Sequence, residues 1–321
     1  MSKVTLVIPN YNGIQFLDPC LNSVAHQTIL ADLEVLVIDN GSTDGSMDCL
    51  EERFPWVRPI SLDENYGFCR AVNEGIRAAK SEFIILLNND TTIEPEFCEE
   101  LLTAIQKDTK IFSCAAKMIQ SSDHSRLDDA GNFYCALGWA FARAKGKSSE
   151  LYSYNQKIFA SCGGAAIYRK SVFEEIGDFD EEHFAYLEDI DIGYRAQIYG
   201  YENWYIPKAQ VYHVGSGTTG SRYNEFKIGY SARNNVYLIY KNMPLLQLIL
   251  NMPLLLIGFA VKGLFFAKKN YGKEYWQGLK AGIELCKKNG SQKVRFKPSN
   301  FLNYCKIQLQ LWVNILRRVK N

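Results

Sequence analysis

Ser81-Glu82-Phe83-Ile84-Ile85-Leu86-Leu87-Asn88-Asn89-Asp90-Thr91-Thr92-Ile93 is the stretch that decides the fold of this 321-residue chain. Phe83 to Leu87 is a continuous apolar run, the pattern of a strand buried on both faces, and it stops at Asn88-Asn89-Asp90-Thr91-Thr92. A carboxylate and two amides thus stand at a strand's carboxyl end, where open α/β sheets bind ligands. Hard oxygen donors at that place suit Mg²⁺ or Mn²⁺ carrying a diphosphate. Taken alone, the same residues equally suit an Asx-rich turn ahead of a helix beginning near Pro95.

The preceding residues repeat the pattern. Val4 to Ile8 is a buried-strand run ending at Pro9-Asn10-Tyr11-Asn12-Gly13, after which Phe16, Leu17, Leu21 and Val24 recur at helical spacing. Glu34 to Ile38 ends at Asp39-Asn40-Gly41-Ser42-Thr43-Asp44, whose last three residues are natural helix N-caps, and a helix is expected to about Phe54. A third strand, near Val57 to Leu62, leads into Asn65-Tyr66-Gly67 and a helix carrying Ala71, Ile76 and Ala79. Four strand-helix units in about 90 residues predict a parallel doubly wound sheet with its polar strand ends on one edge. Asp39 and Asp90, 51 positions apart, are therefore expected as neighbours. Neither a G-x-G-x-x-G fingerprint nor a G-x-x-x-x-G-K-[ST] loop is present, which argues against nicotinamide enzymes and P-loop NTPases.

In order, Val7-Ile8-Pro9-Asn10-Tyr11-Asn12, Val37-Ile38-Asp39-Asn40-Gly41-Ser42-Thr43-Asp44, Asn65-Tyr66-Gly67 and Leu87-Asn88-Asn89-Asp90-Thr91 resemble the nucleotide-sugar half of family 2 inverting glycosyltransferases with the GT-A fold. The resemblance implies a mostly parallel α/β sheet with helices on both faces. It implies that Pro9, Asn10, Tyr11, Asp39, Asn65 and Gly67 hold the nucleotide-sugar and that Asp90 holds Mn²⁺ or Mg²⁺. The chain departs from the family's D-x-D turn in having Asn88 at the first place, which leaves open whether Asn88 and its neighbour Asn89 touch metal, ribose or nothing.

Further along, Ile111 to Met118 reads as a strand, and Asp123 to Lys157 as a polar surface excursion with one hairpin around Phe133 to Phe141. Phe159 to Tyr168 has Gly163-Gly164 inside a strand pattern, the mark of a bulge or of a close approach by a ligand. Within the family such a pair lines the donor-sugar cleft. Glu188-Asp189-Ile190-Asp191 puts three acids in four positions, suited to a cation, to proton transfer or to a helix N-terminus. It resembles the family's E-D motif, which makes Asp189 the general base and Glu188 a donor contact, with Asp191 and Arg195 bracing the helix. His213, 24 residues beyond Asp189, follows a strand expected over Glu202 to Ile206; a lone histidine there fits a structural role, while relatives place a metal ligand at this position. The Gly-, Ser- and Thr-rich stretch to Ser221 has the composition of a loop that closes over donor.

Length and composition predict one large α/β domain, residues 1–240, with a helical appendage, 241–321. Charge divides at a similar place: residues 1–261 carry 22 Lys and Arg against 33 Asp and Glu, net −11, whereas 262–321 carry 14 against 2, net +12. Met243 to Ala267 is apolar but interrupted by Pro244, Gln247, Asn251, Pro253 and Lys262, which favours an interfacial or re-entrant helical hairpin over a span. Leu302, Cys305, Leu309, Trp312, Leu316 and Val319 form a stripe on an acid-free helix with Lys306, Arg317, Arg318 and Lys320. That suits the cytoplasmic membrane surface, or packing on the domain, or a homodimer through the C-terminal helices. Nine scattered cysteines with no C-x-x-C pair, and a strand entered by residue 4 with no basic-then-apolar leader, lead us to expect a reducing, cytoplasmic setting. The acidic first part disfavours nucleic acid as a partner.

The expected activity is thus inverting transfer of a sugar to a hydroxyl, Asp189 acting as base and Asp90 with His213 holding metal. The L-N-N-D-T turn, the G-G-A segment and the E-D-x-D helix most resemble rhamnosyltransferases that use dTDP-L-rhamnose, with an acceptor carried on a polyprenyl diphosphate lipid in bacterial polysaccharide assembly. UDP-galactofuranose, UDP-galactose and UDP-N-acetylglucosamine are the alternative donors, since thymine and uracil present Asp39 with the same N3–H. A nucleotidyltransferase is disfavoured because Pro9 to Gly13 lacks basic residues, and a non-catalytic nucleotide-sugar-binding protein because the acids are retained.

Overall fold

A computed structural model describes residues 2–215 and 223–320, apart from the side chains of Cys49 and Ser291. The Gly- and Ser-rich stretch expected to close over donor falls largely on 216–222, outside the described residues. Strands β1 (Val4–Asn10), β2 (Leu33–Asn40), β3 (Arg58–Leu62) and β4 (Phe83–Leu87) run parallel in the order β4-β1-β2-β3. Helices α1 (Ile14–Ala25), α2 (Ser46–Arg53) and α3 (Gly67–Ala78) connect them. The continuous apolar runs are explained by burial on two sides. Leu6, Val37, Ile85 and Leu87 pack towards α1, and Val7, Leu36, Ile38, Ile84 and Leu86 towards α3.

Beyond β4 the sheet becomes mixed. After a short strand β5 (Thr91–Ile93) and helix α4 (Phe97–Ile105) come β6 (Ile111–Gln120), β7 (Asp123–Asp129), β8 (Asn132–Cys135), β9 (Trp139–Ala142), β10 (Gln156–Ile158) and β11 (Ala165–Arg169). Helix α5 (Lys170–Ile176), helix α6 (Glu188–Ile198) and strand β12 (Glu202–His213) follow. β11 lies antiparallel between β4 and β6, and β12 parallel to β6. The end of β12 pairs with β5, His213 opposite Thr91, which delivers the histidine to the residue after Asp90.

Three sequence expectations change. Within 123–157 the expected hairpin forms, as β8 and β9, and both ends are exposed, but 127–144 is no surface excursion: Leu127, Ala130, Phe133, Tyr134, Ala136 and Ala144 are buried in a second core with Phe159, Tyr194, Leu238 and Leu311. Those partners are distant in sequence, and Arg143, one of the segment's charges, is buried between the rings of Tyr152 and Tyr205. The strand expected from Phe159 starts only at Ala165, because Phe159 and Ala160 bond instead to Asn132. The strand expected to end at Ile206 continues to His213 through a bulge between Ile206 and Gln210, where Pro207 offers no N–H.

Four helices complete the chain: α7 (Glu225–Asn242), α8 (Leu245–Lys268), α9 (Gly272–Lys288) and α10 (Phe301–Lys320). The hairpin expected within Met243 to Ala267 does not form, since α8 is continuous through Pro253. Its inner side packs Leu255 into the second core beside Tyr304, Ile307 and Leu311 of α10, and that packing outweighs the one backbone hydrogen bond the proline removes.

Candidate active site

The carboxyl ends of β1, β2 and β4 form one polar edge. The β1–β2 register sets Asn10 beside Asp39, and the Asn10 amide donates to Asp39 Oδ1 at 3.1 Å and to Ser42 Oγ at 3.2 Å. Asp39 Oδ2 accepts the Ser42 N–H at 3.1 Å. From the other side Asn89 Nδ2 donates to Asn10 Oδ1 at 2.7 Å, so Asp39 and the turn before Asp90 are joined through one asparagine. Pro9 and Tyr11 flank this chain, partly buried. Asn40, which sequence reasoning passed over, donates to Asn65 Oδ1 at 2.9 Å and to Gly67 O at 3.2 Å, and accepts the Tyr66 N–H at 3.0 Å. Asn65 Oδ1 also accepts from the Gly67 N–H, so that oxygen is spent inside its own turn. Asn88 sends its N–H to Gly164 O at 2.9 Å, and its amide lies over Gly164, where a Cβ would stand 2.8 Å from the amide nitrogen. Gly163 precedes it in the same turn, against Phe68.

At the end of β4, Asp90 is almost fully buried and its Oδ1 lies 3.4 Å from His213 Nε2. His213 Nδ1 is 2.8 Å from Asp128 Oδ2, and Asp128 Oδ1 takes a 2.6 Å ion pair from Lys145. Burial works against charge on the imidazole, but the hydrogen bonds and charges of Asp128 and Asp90 push His213 up to about 9. Burial likewise opposes charge on Asp128, yet His213 and Lys145 hold it down to about 2.

The third cluster is the start of α6. Phe184, Tyr186 and Leu187 all have positive φ (61°, 73° and 66°), a conformation that side-chain-bearing residues hold only when the surroundings over-determine it. Asn234 of α7 does this: its amide donates to the carbonyls of His183, Ala185 and Tyr186 at 2.9, 2.9 and 2.8 Å. The loop then delivers Glu188 and Asp189 to the first turn of the helix. Asp189 Oδ1 accepts the Ile190 N–H at 2.7 Å and Oδ2 the Asn132 amide at 2.5 Å. Burial raises the Asp189 carboxyl above its usual range, with those two hydrogen bonds pulling it back. Burial, then the neighbouring Asp189, raises Glu188, whose Oε2 is buried without a partner. Asp191 differs: it is fully buried against Arg195 at 2.8 Å, Lys241 at 3.1 Å and Asn242 at 2.7 Å, and against burial the two cations, with the Asn242 hydrogen bond, hold it far below the carboxylate range.

Residues 128–132 join the clusters. Asp128 meets His213 and Asn132 meets Asp189, while Asp129 between them is pushed by burial up to about 7. Sequence reasoning missed Asp128, Asn132, Asn40 and Asn234. The acid pair followed by glycine at Asp128-Asp129-Ala130-Gly131 was the available signal for the first two, and the Arg233-Asn234-Asn235 run within a helix for the last.

Comparison with known proteins bears on family and fold. The chain is 28% identical over 216 residues to an N-acetylglucosaminyl-diphospho-decaprenol L-rhamnosyltransferase of Mycobacterium tuberculosis, covering 59% of this chain and 68% of the relative. It is 36% identical over 162 residues to chondroitin synthase of Escherichia coli, covering 49% of this chain and 22% of that one. The crystal structure of GalNAc-T7 with UDP, GalNAc and Mn²⁺ superposes with a TM-score of 0.61 at 17% identity, over 75% of this chain and 48% of that chain. This chain thus spans about half of that solved structure, and the shared fold is GT-A. The glycosyl transferase family 2 profile matches residues 5–177, more than half of the sequence, and the chain belongs to that family.

Proposed function

We propose that the chain is an inverting transferase that moves L-rhamnose from dTDP-rhamnose onto a hydroxyl of a lipid-linked saccharide in bacterial polysaccharide or cell-wall assembly. The observation that carries the chemistry is the continuity of one polar edge: Asp39, the Asp90–His213 pair and Asp189 are joined through Asn10, Asn89, Asp128 and Asn132. The sugar and acceptor rest on the name of the Mycobacterium relative.

In this reading Asp39 accepts from the base, Pro9 to Tyr11 and the Asn65–Gly67 turn enclose the nucleoside, and Asn88, Asn89, Gly163, Gly164 and Glu188 line the sugar. Asp189 takes the proton of the acceptor hydroxyl as that oxygen bonds to the anomeric carbon and the bond to the diphosphate oxygen breaks. A carboxylate raised above its usual range is a better proton acceptor once ionised. The two hydrogen bonds to Asp189 fix its orientation.

Among the described residues no three His, Cys, Asp or Glu side chains are grouped to hold a metal. In this reading Asp90 and His213 are the protein ligands, supported by the contact of His213 Nδ1 with Asp128, which leaves Nε2 facing the Asp90 carboxylate. Asp90 and His213 would hold Mn²⁺ or Mg²⁺, which when bound neutralises charge on the departing nucleoside diphosphate.

Residues 1–240 form the transferase domain in this proposal and 241–321 the region that meets the inner face of the cell membrane, where the acceptor is presented. The test offers dTDP-rhamnose, UDP-galactofuranose, UDP-galactose and UDP-N-acetylglucosamine with Mn²⁺ or Mg²⁺ and a detergent-dispersed polyprenyl-diphosphate saccharide, and measures nucleoside diphosphate release. Release of dTDP is expected. Consumption of a UDP-sugar instead reassigns the donor, and consumption of none favours a nucleotide-sugar-binding protein.

A further inference from the structure

Helix α8 is built inside out. Its buried side carries Gln247 and Asn251, whereas Leu246 and Leu256 on the opposite side are 70% and 63% exposed, as are Leu245, Ile249, Ile257, Val261 and Leu264 to similar degrees. A helix on a soluble surface shows the reverse pattern. Most of the inner polar groups bond to the domain: Tyr194 O–H donates to Gln247 Oε1 at 2.7 Å, and Asn251 and Gln308 exchange two 2.8 Å hydrogen bonds, while Gln247 Nε2 is buried without a partner among the described residues. Trp139 Nε1 donates to Gly258 O at 3.1 Å.

Helix α10 extends the same face. It turns Tyr304, Ile307, Leu311 and Asn314 inward, and leaves exposed the stripe of Leu302, Cys305, Leu309, Trp312, Leu316 and Val319. Trp312 Nε1 reaches Asn251 Oδ1 at 3.2 Å, which sets α10 beside α8.

The geometry points to a single docking face, formed by α8 and α10 and lying in the plane of an anionic bilayer. This deepens the lipid-linked acceptor reading and rests on it only for the choice of partner. Two observations select the occupant. Helices α8 and α10 carry Lys262, Lys268, Lys306, Arg317, Arg318 and Lys320 and no acid, so a second copy would bring like charge to like charge, whereas an anionic leaflet complements it. Only 22% of the most apolar window of α8 is buried, which separates it from the core helix of a soluble protein. By length and composition α8 is also able to cross a membrane. Crossing would tear Gln247, Asn251 and Gly258 from their partners, so the helix lies flat with its apolar side about 5–10 Å into the boundary layer.

The test is co-sedimentation of the full-length protein with phosphatidylcholine vesicles, with and without phosphatidylglycerol, beside a Leu246→Glu/Leu256→Glu variant and an independent Leu316→Glu variant. The expected results are binding that requires the anionic lipid, loss of at least about tenfold in the double variant, a smaller loss in Leu316→Glu, and release by an alkaline carbonate wash. Absence of vesicle binding, unchanged binding in both variants, or resistance to carbonate overturns the proposal. So does a dimer, split by the double variant, in a protein that ignores vesicles. Nucleotide binding and donor turnover are measured on the same preparations. Vesicle binding as expected with no donor consumed would count against the transferase reading and leave the docking face standing.

Discussion

Asn234→Ala isolates the device that holds the Glu188–Asp189 loop. The side chain is fully buried and its amide reaches three carbonyls, of His183, Ala185 and Tyr186, in the segment where Phe184, Tyr186 and Leu187 have positive φ. The amide has two N–H groups to share among the three carbonyls, and at about 1 kcal/mol net for each the support removed is roughly 2 kcal/mol. That is comparable to the strain of residues held in sparsely populated backbone regions, on the order of 1–3 kcal/mol each. The loop therefore relaxes locally and carries Asp189 away from the reacting atoms, while the Asp39 edge, on other strands, stays in place. Turnover should fall by roughly 30-fold, the equivalent of about 2 kcal/mol, with nucleoside diphosphate affinity within about threefold of wild type. Steady-state kinetics and calorimetric nucleotide binding measure the two quantities. Asn234→Asp keeps the shape but lacks the donor and should behave like the alanine variant. Wild-type turnover in either variant, or parallel loss of nucleotide binding, refutes the reasoning.

Asp128→Asn should weaken Mn²⁺ binding about 10- to 100-fold, read directly by electron paramagnetic resonance of free Mn²⁺ without any substrate; unchanged affinity would detach Asp128 from the metal site. His183 is fully buried, both ring nitrogens lack partners, and burial, despite Asp191 and Asp180 nearby and with Lys241 and Arg195 opposing them, lowers it to about 4. The unfolded chain therefore binds the extra proton between pH 6.5 and about 4, and stability should fall across that window as pH drops, by up to roughly 3 kcal/mol. Denaturant titrations of wild type and His183→Phe test this, the variant losing that part of the pH slope. Gly258→Ala drives a Cβ into Leu137 O and should destabilise the α8–hairpin contact by roughly 2 kcal/mol or more, seen as a lower melting temperature; a silent substitution would show that the contact is slack.

The part of the fold visible in sequence is the part made of local repeats. Phe83 to Leu87 and the runs at Val4 and Glu34 are each strand, polar turn and helix within about 30 residues, and their shared edge follows from parallel connection alone. Asp39 and Asp90 are joined there, through Asn10 and Asn89. What escaped was non-local. Asp128 and Asn132 gain meaning only when β7 and β8 fold under β12 and α6, and the polar letters around them read as surface. Arg143 is one such letter: a buried arginine stacked on two tyrosines is indistinguishable in sequence from an exposed one. The stripe from Leu302 to Val319 was visible as a stripe, yet whether it faced the domain or the outside depended on Tyr304, Ile307 and Leu311 taking the inner side.

The central claim is that Asp189 is the base of an inverting transfer, and its most direct measurement is single-turnover transfer from the accepted donor by wild type and Asp189→Asn, with the anomeric configuration of the product read by NMR. The account predicts an inverted product, a loss of at least about 1000-fold in the variant, and nucleotide binding retained. A product of retained configuration, or normal turnover by Asp189→Asn, would contradict it.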